Sequence, residues 1–493
     1  MRKWRPHGDP RDPGVWTAVD GCFPTSSGSY RCAPSFQTSG TAGAGPATPG
    51  ETLSAWAGMI VDGTAIGYVG TRTKLYQVAT FSTGSFTDRS KGGGYTAATT
   101  DQWCFTQYGN ISIATDYVDA VQSRDASGAS AFADLAGTPP KARIALTQSM
   151  AVVLFNYNDG VNTYSDGWWA SDIGDHTTWT PSASNEAANA RILQRPGPIT
   201  AATAFGDEII VWKASGMFRM KYVGLPLIWV VELISEKAGA EYQGSVCNCG
   251  SFLLFTGRSG AYIYDGQLRP IADGFDGSSG SILRVAGQYG QGGLFFAASG
   301  AAVLIGRTGR AFVYNAFSDR WGLFTPRDTT GAQCNSTTSD FKGVPFAGDE
   351  AAIYALATGV AFCNGGVLLV DLSANPCILR DNAQNDSDTT MTLSGSIVGN
   401  ERQMTSITAV NVLWTATDGH TWTHGAASKY TGFVHFGDTG NSLPSSTSPI
   451  PATTPRYGFD IIKSARFLKP AFSFTHNCEV GDIDVVSSFG GKS

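Results

Sequence analysis

The stretch RSGAYIYDGQL, residues 258–268, holds a short strand, a tight turn and the start of a second strand. Ala261-Tyr262-Ile263-Tyr264 has the length of one strand and its aromatic and β-branched character. Asp265-Gly266 follows, a pair that accommodates positive φ at both turn positions and is the strongest short hairpin signal. The same pattern recurs as GTRTKLYQV (70–78), SGMFRMKYVG (215–224) and RTGRAFVYNAF (307–317). The aromatic anchors Tyr76, Tyr117, Trp168, Tyr222, Tyr264 and Tyr314 are 41, 51, 54, 42 and 50 residues apart. That spacing is close to the ~40–50 residues of a four-stranded propeller blade.

Working outward, further strand-length runs are Val152–Phe155, Ile209–Trp212, Phe252–Phe255, Gly293–Phe296 and Val367–Val370, and Asp-Gly pairs recur at 20, 62, 159, 166, 273, 276 and 418. The best helix candidate, Asn185 to Leu193, is barely two turns long, so antiparallel hairpins rather than βαβ crossovers are expected. The fold class is all-β: a β-propeller of six or seven blades over residues 55–385, with two stacked sandwiches as the alternative. Residues 1–54, rich in Gly, Ser, Thr and Pro, read as an extended amino-terminal arm that gains order by lying on something else. Residues 386–493 read as a carboxyl-terminal β-rich domain. Radial repetition lets one all-β unit of this size exceed the usual single-core limit while exposing few sheet edges.

Composition agrees with that reading and narrows the function. The chain has 493 residues with 60 glycines, 42% apolar and 15% charged residues, too little charge for a coiled coil or a charged disordered chain. Its net charge is −6, from 34 basic and 40 acidic residues, so no global positive field drives tight binding to phosphate backbones. The apolar run Leu225 to Ile234 contains Glu232 and is about half the ~20 residues needed to cross a bilayer. The start MRKWRPHGDPRDPG lacks the apolar run of a secretory signal, so no export by that route is expected. The nine scattered cysteines read as reduced thiols of a protein made in a cytosol.

Several patterns approach chemistry without reaching it. Gly490-Gly491-Lys492-Ser493 resembles the end of a phosphate loop, but Val486 stands where its first glycine belongs. Cys247-Asn248-Cys249 is spaced too tightly for a zinc knuckle. His420, His424 and His435 sit among turn residues rather than on a helix that would give two of them one face. SDIGDHTTW (171–179) and TDGHTW (417–422) approach the Asp-box turn of sialidase-like propellers without its spacing, and that turn is a structural lock. Glycoside hydrolysis needs two carboxyl groups flanking one bond. Asp349-Glu350, Asp207-Glu208 and Glu232/Glu236 qualify only by being acidic. The sequons at Asn110, Asn335 and Asn385 carry no meaning without secretion. No catalytic residue, no cofactor and no metal ligand is assigned.

Five segments resemble one family. YVGLPLIWVVELISEKAGAEYQGSVCNCGSFLLFTGRSGAYIYDGQLRPIADG (222–274), DGWWASDIGDHTTWTPS (166–182) and ITAATAFGDEIIVWKASGMFRM (199–220) are similar to propeller segments of the tail nozzle or tail hub proteins of short-tailed, podovirus-like bacteriophages. These are also called tubular tail protein B or packaged-DNA stabilization proteins. GCFPTSSGSYRCAPSF (21–36) resembles that family's opening segment and FLKPAFSFTHNCEVGDIDVVSSFGGKS its closing one. The resemblance implies a structural virion protein, assembled in the host bacterial cytoplasm. It forms a homohexameric ring below the portal and adaptor, with the two termini building the adaptor-facing platform. The implied partners are other copies of the chain, the tail adaptor, tail fibres or spikes, the passing genomic DNA without sequence-specific binding, and the host envelope at the distal end. An acidic chain suits a conduit, because a basic lumen would hold DNA through counterion release. Gating is expected from Gly- or Pro-rich loops repeated around the ring: 274–293, with Gly274, Gly280, Gly290 and Gly293, and 443–455, with Pro444, Pro449 and Pro451. The rival expectations are a secreted or surface propeller that binds or cleaves glycans, and a receptor-binding tail component.

Overall fold

The computed structural model describes residues 18–32, 52–80, 85–97, 103–240, 243–257, 260–271 and 311–324 without a break, and elsewhere individual strands only. Among the described residues, six sheets have four antiparallel strands each, joined in sequence order. The first blade is Thr52–Met59, Ala65–Thr71, Leu75–Thr80 and Ser85–Asp88, and the second is Cys104–Tyr108, Ile111–Thr115, Gln122–Asp125 and Ala133–Asp134. The third comprises Lys141–Gln148, Ala151–Asn158, Thr163–Ala170 and Ala188–Arg191; the fourth, Ile199–Phe205, Glu208–Lys213, Gly216–Gly224 and Ile228–Ser235. The fifth comprises Val246–Asn248, Leu253–Gly257, Gly260–Tyr264 and Leu268–Pro270; the sixth, Gly290–Phe296, Ala301–Gly306, Ala311–Asn315 and Arg320–Phe324. The leading strands of successive blades lie side by side, which is the radial arrangement of a β-propeller.

A further sheet pairs Thr358–Cys363 with Gly366–Asp371, and the latter with Gln37–Thr38. Its leading strand lies beside Thr52–Met59 of the first blade. The seventh position of the ring is therefore filled by strands from both ends of the propeller sequence.

The anchors found by spacing fall on the third strand of their blades, with one exception. Tyr117 stands in the turn after Ile111–Thr115 with φ +76°, its ring 4.1 Å from the Arg143 guanidinium. Among the Asp-Gly pairs, Gly63, Gly160 and Gly266 have φ of +88°, +93° and +100° and make hairpin turns. Asp166-Gly167 does not turn; it lies inside Thr163–Ala170. Glycine is needed there for space, since a Cβ at 167 would sit 2.6 Å from Cε1 of Tyr157. The expected helix at 185–193 is also absent. Ala188–Arg191 pairs with Gly167–Ala170 as the outer strand of the third blade, and cross-strand pairing outweighs a weak helical pattern.

The cores lie between blades. Trp56 and Tyr68 of the first blade stack with Phe105 of the second, at 6.2 and 5.9 Å between ring centroids. Ile113 packs with Ala145 and Leu154 between the second and third blades, Phe155 with Val211 and Phe218 between the third and fourth, and Trp212 with Phe255 between the fourth and fifth. Each such side chain, fully buried, stabilises by about 1.5–3 kcal/mol. Polar groups tie the same seams. Arg124 donates to the Tyr68 hydroxyl at 2.7 Å. Gln243, ahead of the fifth blade, accepts from the amide of Ala202 at 2.9 Å and donates to its carbonyl at 2.8 Å. Lys213 is buried, and its Nζ donates to the carbonyls of Ile192, Gln194 and Arg195 on the crossing from the third blade.

The amino-terminal segment lies on the carboxyl-terminal strands, and the two share sheets. Ala18–Asp20 pairs with Thr390–Ser394, which pairs with Phe467–Thr475, itself beside Tyr430–Gly437. In a second sheet, Cys22–Pro24 pairs with Tyr30–Cys32, and Tyr30–Cys32 with Cys478–Phe489, whose other neighbour is Thr405–Ala416. Residues 18–32 thus belong with the carboxyl-terminal strands. The propeller begins at Thr52 rather than 55. An isolated arm would leave the edges of Thr390–Ser394 and Cys478–Phe489 unpaired, and pairing removes them.

Lys213→Met leaves three carbonyls of the 192–195 crossing without their donor. We expect it to lower the unfolding free energy by roughly 2–4 kcal/mol, read as a lower midpoint in urea unfolding with an unchanged slope.

Candidate functional site

The residues singled out by chemistry in the sequence do not converge. Asp207 and Glu208 both face Lys221, at 3.0 and 3.9 Å, and Glu232 pairs with Arg219 at 2.6 Å. Glu236 lies 3.9 Å from Arg195. Each acid answers a base on the blade surface, and Lys221 holds Asp207 below the ordinary carboxylate range. Cys249 is buried, and Cys247 stands opposite Leu254 in the fifth blade. His435 lies in Tyr430–Gly437 opposite Lys469 and Ser446. His420, His424, Asp349, Glu350, Asn335, Asn385 and Gly490–Ser493 lie outside the described residues. Asn110 accepts the Val61 amide at 3.1 Å and so locks a loop of the first blade.

The segment SDIGDHTTW does fold as a lock, between the third and fourth strands of the third blade. Asp172 Oδ1 accepts the amides of Ile173 and Glu186 at 2.9 and 2.7 Å, and Asp175 Oδ1 accepts the amide and hydroxyl of Thr177. These bonds to Thr177 hold the Asp175 carboxyl low, and burial lowers His176. Trp179 closes the lock: it is buried and donates to the His176 carbonyl at 3.0 Å.

The expected gating loops are only partly loops. Gly290 and Gly293 are in the leading strand of the sixth blade, opposite Gly306 and Leu304, because the ladder runs back past the apolar run into the glycines. Pro451 is in the short strand Ile450–Pro451 opposite Thr431. Gly274, Gly280, Pro444 and Pro449 lie outside the described residues.

What the structure does assemble is a joint between the terminal strands and the sixth blade. The Tyr30 hydroxyl donates to the Trp321 carbonyl at 3.1 Å, and Asn315 Nδ2 donates to the Pro24 carbonyl at 3.2 Å, all of it buried. The Arg320 guanidinium stands 5.8 Å from the Tyr30 ring centroid. Gly322 lets the two backbones meet: a Cβ there would be 2.4 Å from the Cys22 carbonyl oxygen and 2.7 Å from Pro24 Cδ. Beside the joint, a cleft of about 620 Å³ opens between the fifth and sixth blades. Its walls combine Phe252, Tyr314 and Phe317 with Asp265, Arg269 and Asp319. Tyr314 donates to Asp319 at 3.0 Å, and Asp265 pairs with Arg269. Burial first, and the Asp319 carboxyl second, raise the Tyr314 phenol far above its ordinary value. The phenol and the acids Asp265 and Asp319 of the cleft are thus engaged with one another or with Arg269. A second exposed feature is the outer hairpin of the fourth blade, where Leu225 and Leu227 are 65% and 69% exposed.

Neither the joint nor the cleft is legible in the sequence. Tyr30 and Trp321 are 291 positions apart, and no local pattern links them.

This chain is an all-β propeller. No protein-family model and no curated protein matches it. Among solved structures, "YCF48 bound to D1 peptide" is similar at 14% identity and a TM-score of 0.42, over 67% of this chain and 96% of that one. The WD40 repeats of RRP9 are similar at 7% identity and a TM-score of 0.42, over 69% and 99%. The computationally designed Ika8 protein gives 10% identity and a TM-score of 0.39, over 69% and 100%.

We expect Gly322→Val to part the 18–32 strands from the sixth blade while leaving the other blades folded. Hydrogen exchange checks this: amides of 22–32 and 311–324 lose protection, and those of 141–235 keep it.

Proposed function

We propose that the chain is a structural protein of a short phage tail, forming a nozzle or hub ring that continues and gates the DNA conduit below the portal and adaptor. The observation that carries this reading is the weaving of both termini. Strands from residues 18–32 and 390–489 build one pair of sheets, and the amino-terminal hairpin of that unit is keyed into the sixth blade through Tyr30, Asn315 and Gly322. A propeller bound to a platform made from its own two ends is the layout that the family resemblance implies. Force on such a platform reaches the propeller through buried hydrogen bonds rather than through a loose linker.

Two further features support it. The net charge of −6 favours free passage of a polyanion over retention. The bare apolar tip at Leu225 and Leu227 is a surface that assembly covers in a ring of equivalent contacts. In this reading the partners are further copies of the chain, the adaptor, and fibres or spikes on the outside, and no residue is catalytic.

The rival reading is a glycan-binding propeller, and the aromatic and carboxylate walls of the cleft between the fifth and sixth blades are the specific feature that favours it. Mass in solution, with and without the adaptor, separates the two. We expect a sixfold ring of about 310 kDa, six times 51.9 kDa, visible as an annulus by electron microscopy. A chain that stays monomeric with the adaptor present and binds on a glycan array overturns the conduit reading.

A further inference from the structure

We propose that the apolar tip Leu225–Leu227 of one copy of the chain seats in the cleft between the fifth and sixth blades of the next copy. The inference rests on the ring reading and names the two surfaces that make its repeated contact.

The tip has the chemistry of a surface meant to be covered. Residues 223–228, Val-Gly-Leu-Pro-Leu-Ile, carry no ionisable side chain and span the turn between the third and fourth strands of the fourth blade. Leu225 and Leu227 are 65% and 69% exposed, and Val223 before them is half-exposed. Pro226 between the leucines has no N–H, so covering the turn strips water from one donor fewer. At the foot of the turn Gly224 pairs with Ile228, whose φ of +57° is one that β-branched residues rarely adopt. The backbone thus holds the leucines out in water in spite of local strain.

The cleft matches the tip in size and in charge. Its volume of about 620 Å³ lies within the roughly 300–1,000 Å³ of cavities that bury a small ligand. Phe252 and Ile271 line it from the fifth blade, and Tyr314, Phe317 and Trp321 from the sixth. Phe317 is 62% exposed, so this wall is open to an occupant. The charged groups on the walls are already matched among themselves. Arg269 pairs with Asp265, Asp319 accepts from Tyr314 at 3.0 Å, and the Arg320 guanidinium lies over the Tyr30 ring. Asp265 and Asp319 balance Arg269 and Arg320, so the cleft presents no net charge. An ionised occupant would give up its hydration with no opposite charge to meet it, and an uncharged apolar segment gives up none.

One chain cannot bring the two together by itself. The tip and Phe317 occupy the same turn in different blades, the fourth and the sixth, and the fifth blade stands between them. The fifth is fixed to the fourth by Trp212 against Phe255, with ring centroids 5.2 Å apart. Tip and cleft are therefore different patches of one surface, and joining them between copies is a heterologous contact, which closes into a ring when repeated around an axis. Every copy then gives one tip and receives one.

The test places opposite charges at two exposed positions. In the full chain, with the adaptor present, Leu227→Glu and Phe317→Arg should each abolish the ring in sedimentation and electron microscopy. The chain carrying both changes should regain it, because the glutamate of each tip then meets the arginine of the next cleft. An unchanged far-UV circular dichroism spectrum keeps loss of assembly distinct from loss of fold. A milder variant, Leu225→Ser with Leu227→Ser, should raise the concentration at which rings appear by about tenfold or more. A ring kept by either charged variant, no recovery in the doubly charged chain, or an unshifted concentration for the serine variant overturns this proposal and leaves the conduit reading standing. A parent chain that stays monomeric with the adaptor present overturns both.

Discussion

The blades of this protein do not have cores of their own. Among the described residues, the apolar face of a sheet is covered by the next sheet, as Tyr68 is covered by Phe105 and Phe155 by Phe218. Stability is therefore a property of neighbours, and a chain of such sheets has two uncovered faces until it closes on itself. Closure here draws on strands at both ends of the propeller. Gln37–Thr38 joins Thr358–Cys363 and Gly366–Asp371, and that sheet sits beside the first blade. A segment before the first blade is thereby committed to the last position.

That commitment explains why residues 18–32 pair with strands near the carboxyl end. Residues 37–38 pair with 368–369, so the segments that flank the two strands start from one sheet. Their unpaired edges find each other before they find solvent. The resulting pair of sheets is anchored by Tyr30 and Asn315 on the sixth blade, where Gly322 leaves room for backbone contact. Hydrogen bonds shielded from water, like those of this joint, resist opening better than a solvated linker does.

The low charge of the chain has a structural counterpart in how its few buried charges are used. Lys213 spends its ammonium on three carbonyls of the crossing between the third and fourth blades, and Arg124 spends its guanidinium on Tyr68 and two loop carbonyls of its own blade. Both occur at seams, where backbone leaves one sheet for the next and carbonyls lose their ladder partners. Asp116 is the contrasting case, a buried acid whose Oδ1 accepts the amides of Val118 and Asp119 within its own loop. Seams are thus where side-chain cations replace the missing ladder partners.

The all-β class, the hairpins at Gly63, Gly160 and Gly266, and the blade period were legible in the sequence, because each rests on residues within a few positions of one another. Positive φ, strand length and aromatic spacing are local quantities. The same local reading misplaced Asp166-Gly167 and the 185–193 segment, where pairing with a distant strand outweighed turn and helix preferences. It also took Gly290 and Gly293 for loop, since glycine marks flexibility locally but can be recruited by a ladder. The joint at Tyr30 and Trp321, the cleft beside it and the bond from the Thr96 amide to Asp119 were decided by tertiary structure alone. Each depends on which blade edge meets which strand, and the sequence carries that only through the closure of the whole ring.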